Sequence, residues 1–263
     1  MIIDSHVHIF PDKIAKNVIE TLSGRAKIPA YTDGSLDDTV SKMEQAGVDI
    51  FVMQSIATNI KQTENVNNFA IDINKNDKII AFGSIHPDSP DYKSELDRLK
   101  DSGIKGIKLH PDYQDFFIDE KRMIPIYEYI LKKGFILYFH SGFDAGLGEP
   151  VHATPEGILN VLSMFNGEKV CLAHMGGFGM HERLMEILMG KDIYIDTSCV
   201  AEFVSNEIFE ELLKAHRRDR VLFATDSPWN SISKAVKNIK SLDIDDEYKE
   251  MIFSQNAKTL LGI

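Results

Sequence analysis

Eight short runs rich in β-branched, leucine and aromatic residues recur along this 263-residue chain, and each is followed by sequence in which apolar residues return at helical spacing. The runs cover 2–9 (IIDSHVHI), 48–56, 79–85, 103–110, 135–140, 169–174, 192–198 and 220–226. Most are apolar on both faces, as strands covered by helices are. Leu36, Val40 and Met43 mark one helix, and Leu96 and Leu99 before Gly103 mark another. So do 123–133 before Gly134, 155–165 before Gly167, and 208–215. Alternating strand and helix predicts a parallel sheet. Eight such units, in a chain close to the ~250 residues the closed form takes, predict an α/β fold: a (β/α)8 TIM barrel with an outer ring of helices. An open doubly wound sheet is the alternative that the same alternation allows. No low-complexity tract or Pro/Gly/Ser linker interrupts the chain, so residues 1–263 read as one barrel domain.

Charge narrows the partners. With 40 acidic and 29 basic residues the formal net charge is −11, which repels polyphosphates and offers no basic stripe for nucleic acid. The expected partner is a small-molecule substrate. Two cysteines, Cys171 and Cys199, are too few for a disulfide framework and fit a reducing compartment. No apolar run reaches the ~18 residues of a membrane span, and a polar DSHVH appears where a signal peptide would be apolar, so the expected location is cytoplasmic.

In a barrel the functional face lies at the C-terminal ends of the strands. There the chain places His6 and His8, His86, Lys108 and His110, His140, His174 and Asp226. Strand side chains alternate, so His6 and His8 share a face, with Asp4 one layer deeper as an acceptor for a ring N–H. Closing strand 8 against strand 1 sets Asp226 beside the pair, and His140 reaches across as a further ligand. Three histidines and a carboxylate suit Zn2+, one ion per chain, with a second ion, or Mn2+ or Fe2+, as alternatives. His174, followed by Met175-Gly176-Gly177, is either a ligand of a second metal or an acid–base group. Lys108 and His110 share a face of strand 4 and either take part in a second metal site or hold an anionic substrate group. Trp229 is a candidate pocket wall. His86 reads as structural, and His152, His181 and His216 as surface histidines.

The order of an HxH, a strand-5 His, a strand-6 His and a strand-8 Asp resembles the amidohydrolase superfamily. The closest likeness is to the branch typified by aminocarboxymuconate semialdehyde decarboxylase, amidohydrolase family 2. DSHVH, GIKLHP, FHSG, AHMGG, TDSPW and the terminal NAKTLLGI (256–263) carry the resemblance over nearly the whole chain. It implies that His6, His8, His140 and Asp226 hold the metal and that His174 helps activate water or substrate. It also implies that Lys108 could be carboxylated and bridge two metals, and, since similar proteins are often dimers, that a homodimer could form.

The implied function is a metal-dependent hydrolase acting on a small, carboxylate-bearing amide, ester or lactone through metal-activated water. Asp226 would move the proton, His174 would stabilise the oxyanion or donate, and Lys108 or His110 would hold a substrate carboxylate. The alternatives are a metal-dependent, non-oxidative decarboxylase of an unsaturated or aromatic acid, and a metal-containing protein that binds a small molecule without turnover. Specificity is expected in the loops 10–35 and 141–155.

Overall fold

A computed structural model of the chain describes residues 1–165 and 169–263. Its strands are β1 (Ile3–Val7), β2 (Ile50–Gln54), β3 (Ile79–Ser84), β4 (Gly106–Leu109), β5 (Ile136–Phe139), β6 (Val170–Leu172), β7 (Tyr194–Asp196) and β8 (Val221–Leu222). All eight lie within the runs read from sequence. They form one parallel sheet in sequential order. Backbone bonds from Ser5 N to Phe223 O (2.9 Å), Asp226 N to His6 O (2.9 Å) and His8 N to Ser227 O (2.7 Å) join the last strand to the first. The sheet is therefore a barrel, not the open doubly wound alternative.

The helices are α1 (Asp12–Ala26), α2 (Leu36–Ala46), α3 (Thr63–Ile73), α4 (Tyr92–Asp101), α5 (Ile124–Lys132) and α6 (Pro155–Leu162). After them come α7 (His181–Ile187), α8 (Val200–Phe203), α9 (Asn206–Ala215), α10 (Ile232–Ser241), α11 (Asp246–Glu250) and α12 (Asn256–Leu261). Side-chain caps set several starts: Ser35 Oγ accepts from Asp38 N, Thr154 from Gly157 N and Ser205 from Ile208 N. Gly47, at φ 77°, ends α2 in the left-handed conformation that glycine adopts without a Cβ penalty. The expected stop of α6 at Gly167 lies outside the described residues. One expected loop is mostly helix: α1 occupies more than half of the segment 10–35, and its Ile14, Val18 and Leu22 repeat at helical spacing.

Two apolar clusters hold the fold. The larger joins strand residues such as Phe51, Met53, Ile107 and Leu137 to the helices around the barrel. The smaller takes alternate strand residues, among them Ile3, Val52, Phe82, Tyr138 and Leu222, together with Ala257 and Leu261 of α12. The terminal helix thus packs against the barrel interior. Polar residues are left to the opposite end, where the strands finish. Among the described residues no helix is long and apolar enough to cross a membrane.

Candidate active site

His6 is the penultimate residue of β1 and His8 follows the strand directly. Their Nε2 atoms lie 3.2 Å apart, and Asp226 Oδ1 lies 3.3 Å from the first and 3.2 Å from the second. Asp226 arrives there because the backbone bonds between residues 226–227 and β1 close the barrel at this height.

The hydrogen bonds around these rings fix which nitrogens carry protons. His8 Nδ1 is 2.9 Å from the carbonyl of Gln54, which only accepts, so His8 donates from Nδ1 and leaves a bare lone pair on Nε2. His6 Nδ1 is 2.9 Å from Asp196 Oδ2 and does the same. Burial pushes His6 down to about 3, with Lys108 adding to the shift, so the ring is neutral. Asp226 remains a carboxylate, below the usual range although burial alone would raise it. Two imidazole lone pairs and an anionic oxygen therefore converge, with Lys108 Nζ, 3.2 Å from His6 Nε2, as the donor beside them, an arrangement that a bound divalent cation would stabilise.

The same accounting reaches His140 through Asp196. That carboxylate accepts from His6 Nδ1, from the hydroxyls of Tyr138 and Ser198, and from the backbone N–H of His174 (2.8 Å). Having donated to Asp196, Ser198 Oγ accepts from His174 Nδ1 (2.8 Å). His174 Nε2 must then accept from His140 Nδ1 (3.1 Å), leaving His140 Nε2 unprotonated, buried and without a partner. His140 packs beside His174 and stacks on His110, ring centroids 4.0 Å apart, so it stands next to the tight His6, His8 and Asp226 group and not within it. The donor set of neutral imidazoles and one carboxylate fits a first-row divalent cation.

Lys108, in β4, is fully buried. Its Nζ lies 3.2 Å from His6 Nε2 and 4.9 Å from the centre of the Tyr138 ring, and burial pushes its ammonium down to about 8. His110 follows β4, with Nε2 3.5 Å from Asp144 Oδ2; burial first, and then Lys108 and His174, lower it to about 4. Trp229 is half-buried and lines the same cavity as the histidines and Lys108. That cavity has a volume of about 1020 Å3, and both loops expected to carry specificity contribute to its wall, with Phe10 and Phe143 among their residues.

Other expectations are corrected. Asp4 does not support a histidine ring. The register slips between Asp4 and Val7, where Asp4 pairs with Phe51 and Val7 with Met53, and this bulge breaks the alternation on which that role rested. Asp4 instead accepts from Thr225 Oγ1 (2.6 Å) and Thr225 N (3.0 Å) and ties β1 to the segment after β8. The supporting carboxylate is Asp196 at the end of β7, inside DIYIDTS, a run read only as a strand. His216 is not a surface residue: it is buried, accepts from Gly190 N (3.2 Å) and donates to Ile193 O (2.9 Å). His86 is partly exposed and accepts from Asp88 N (3.2 Å), and it does not line the cavity.

Backbone strain concentrates here. Six non-glycine residues among those described have left-handed φ, and His174 (58°), Met175 (57°), Cys199 (63°) and Asp226 (62°) are four of them. Cys199 Sγ donates to Asp226 Oδ2 (3.3 Å), the carboxylate oxygen other than the one facing His6 and His8.

The family model described as Amidohydrolase matches residues 3–263. No curated protein sequence matches the chain. Among solved structures, the chain is similar to an uncharacterized TIM-barrel protein from Bordetella bronchiseptica, at 20% identity and a TM-score of 0.80, covering 99% of this chain and 98% of that one. It is similar to the 2,6-dihydroxybenzoate decarboxylase from Rhizobium, at 17% identity and a TM-score of 0.73, covering 99% and 98%. A 5-carboxyvanillate decarboxylase from Novosphingobium aromaticivorans, crystallised with manganese and 4-hydroxy-3-methoxy-5-nitrobenzoic acid, is similar at 15% identity and a TM-score of 0.73, covering 100% and 96%. At these identities the likeness is one of fold.

Proposed function

The chain belongs to the amidohydrolase family, and from that premise we propose that it is a metal-dependent lyase that removes CO2, without oxidation, from an aromatic or unsaturated carboxylic acid. The observation that carries the metal dependence is the convergence of unprotonated His6 Nε2, His8 Nε2 and Asp226 Oδ1 at the floor of the cavity. His140 Nε2, buried and without a partner beside that group, is a further candidate donor. The ion is a first-row divalent cation: the imidazole count favours Zn2+, and Mn2+ is the ion crystallised with one structural neighbour. When bound, such an ion supplies Lewis-acid polarisation of a substrate oxygen.

The rest falls to side chains. Lys108 and His110 line the wall beside the histidines and hold the acid's anionic groups. Decarboxylation breaks the bond between the carboxyl carbon and the ring or double bond. CO2 leaves, and the electron pair left on carbon takes up one proton, which enters from solvent and is passed on by Asp226 or His174. Two features support decarboxylation over hydrolysis. Two of the similar folds described above are named for decarboxylation of aromatic acids, and the cavity wall carries the aromatic rings of Phe10, Phe69, Phe143, Phe178, Phe203 and Trp229. Hydrolysis of an amide, ester or lactone remains the second reading, supported by the family itself.

The metal-loaded protein should release CO2 from members of a panel of hydroxybenzoates and unsaturated acids, and in D2O the product should carry one deuterium at the vacated carbon. Hydrolysis of lactones, esters or amides without CO2 would replace this reading with the hydrolase. Silence in both assays together with tight binding of an acid would make the protein a binding protein.

A further inference from the structure

Helix α1 is built unlike the helices that cover the barrel. It has fifteen residues, yet only Ala15 is fully buried, and none of its aliphatic side chains belongs to either apolar cluster of the core. Ile19 packs over Gly34, where a Cβ would meet it at 2.9 Å, so the helix is anchored on that side. On another side Ile14, Asn17, Val18, Thr21, Leu22 and Arg25, spaced three and four apart, line the cavity that holds the histidines. Val66 and Phe69 of α3, Phe143, Leu147 and Phe203 complete the upper wall. Ile14, Leu147 and Phe203 remain 48%, 41% and 49% exposed.

Within this stripe the aliphatic residues Ile14, Val18 and Leu22 cost free energy while wet and are stabilised once apolar surface covers them. Its occupant is limited by continuity: whatever lies on α1 shares a cavity with the donor group on the floor. The volume of about 1020 Å3 stands at the upper end of the roughly 300–1,000 Å3 that hold drug-sized ligands. A one-ring acid seated at the floor would leave the α1 stripe uncovered.

We propose that Ile14, Val18 and Leu22, with Val66, Phe69 and Phe203, form a subsite for an apolar arm. The substrate is then an acid whose carboxyl end reaches the floor and whose second ring or hydrocarbon chain lies under α1. This inference rests on the acid-substrate reading above, and its test separates the two.

Trp229 is the only tryptophan and lines the cavity, so its emission reports occupancy without turnover. Zn2+-loaded protein is titrated with benzoate and with biphenyl-4-carboxylate. The biphenyl acid should bind at least about tenfold more tightly, and the ratio should fall toward one in the double variant Val18→Asn/Leu22→Asn. If that variant does not fold, Phe203→Asn, on the exposed opposite wall, should reduce the ratio in the same direction. Equal affinities in the wild type, or a ratio that persists in the folded variants, overturns the subsite. An unchanged ratio with dimerisation that weakens in the double variant overturns it in favour of a second copy of the chain. A tenfold preference in a protein that releases no CO2 keeps the arm and removes the decarboxylase, whereas CO2 release with equal affinities removes the arm alone.

Discussion

Asp196 organises more of the site than any residue that touches the cavity. It takes a proton bond from His6, and through Ser198 and His174 it fixes the proton on His140. Asp196→Asn replaces an anionic acceptor with an amide that is part donor, so the histidine tautomers are no longer fixed. Metal affinity in chelator competition should fall about 10- to 100-fold, while the far-ultraviolet circular dichroism spectrum stays native. His216, away from the metal cluster, gives a pH prediction. Burial lowers it, so the folded state binds its proton less readily than the unfolded chain. Stability is then lost as pH falls below the ordinary histidine value near 6.5, because protonating Nδ1 breaks the bond from Gly190 N. The drop in Tm between pH 7 and pH 5 should be smaller in His216→Gln than in the wild type. At this scale the sequence was legible where polar residues stand against apolar strand ends: His6, His8, Lys108, His110, His140, His174 and Asp226 line one cavity. Asp196 was not legible, since an aspartate ending YID looks like any strand residue until the proton bonds are traced. Asp4 misled because alternation assumes an unbroken strand, and β1 carries a bulge.

The strands were legible because helices cover their outer faces and the packed barrel interior their inner ones, which makes each run apolar throughout and easy to delimit. Helix α1 was passed over as loop although Ile14, Val18 and Leu22 carry the helical period. Its start has no side-chain cap, since Pro11 precedes it, and its apolar side lines a cavity and not the core. The loops after β5 and β6 show how elements hold the wall. Gly142, at φ 83°, bridges to Phe178, and a Cβ there would lie 2.1 Å from Phe178 N. Backbone cannot give way as a flexible side chain can, so Gly142→Ala should cost about 1–3 kcal/mol in denaturant melts. It should also weaken acid binding, as reported by Trp229 emission, because Phe143 and Phe178 line the cavity from these two loops.

At the scale of the molecule, the ends of the chain make the site. His6 and His8 come from the first strand and Asp226 from the residues after the last, and only closure of the barrel brings them within 3.3 Å. Removing the ion leaves three unprotonated donors facing one another with Lys108 Nζ as the nearest cation, and binding it stabilises the whole fold by mass action. Adding Zn2+ at a hundredfold over its Kd to chelator-treated protein should raise Tm by roughly 5–10 °C, and His8→Ala should abolish most of that rise. The most direct measurement is metal content after purification and dialysis, for the wild type and for His6→Ala and His8→Ala. The wild type should hold close to one first-row divalent ion per chain, and each variant should lose it. A wild type without metal, or variants that keep a full complement, would contradict the account.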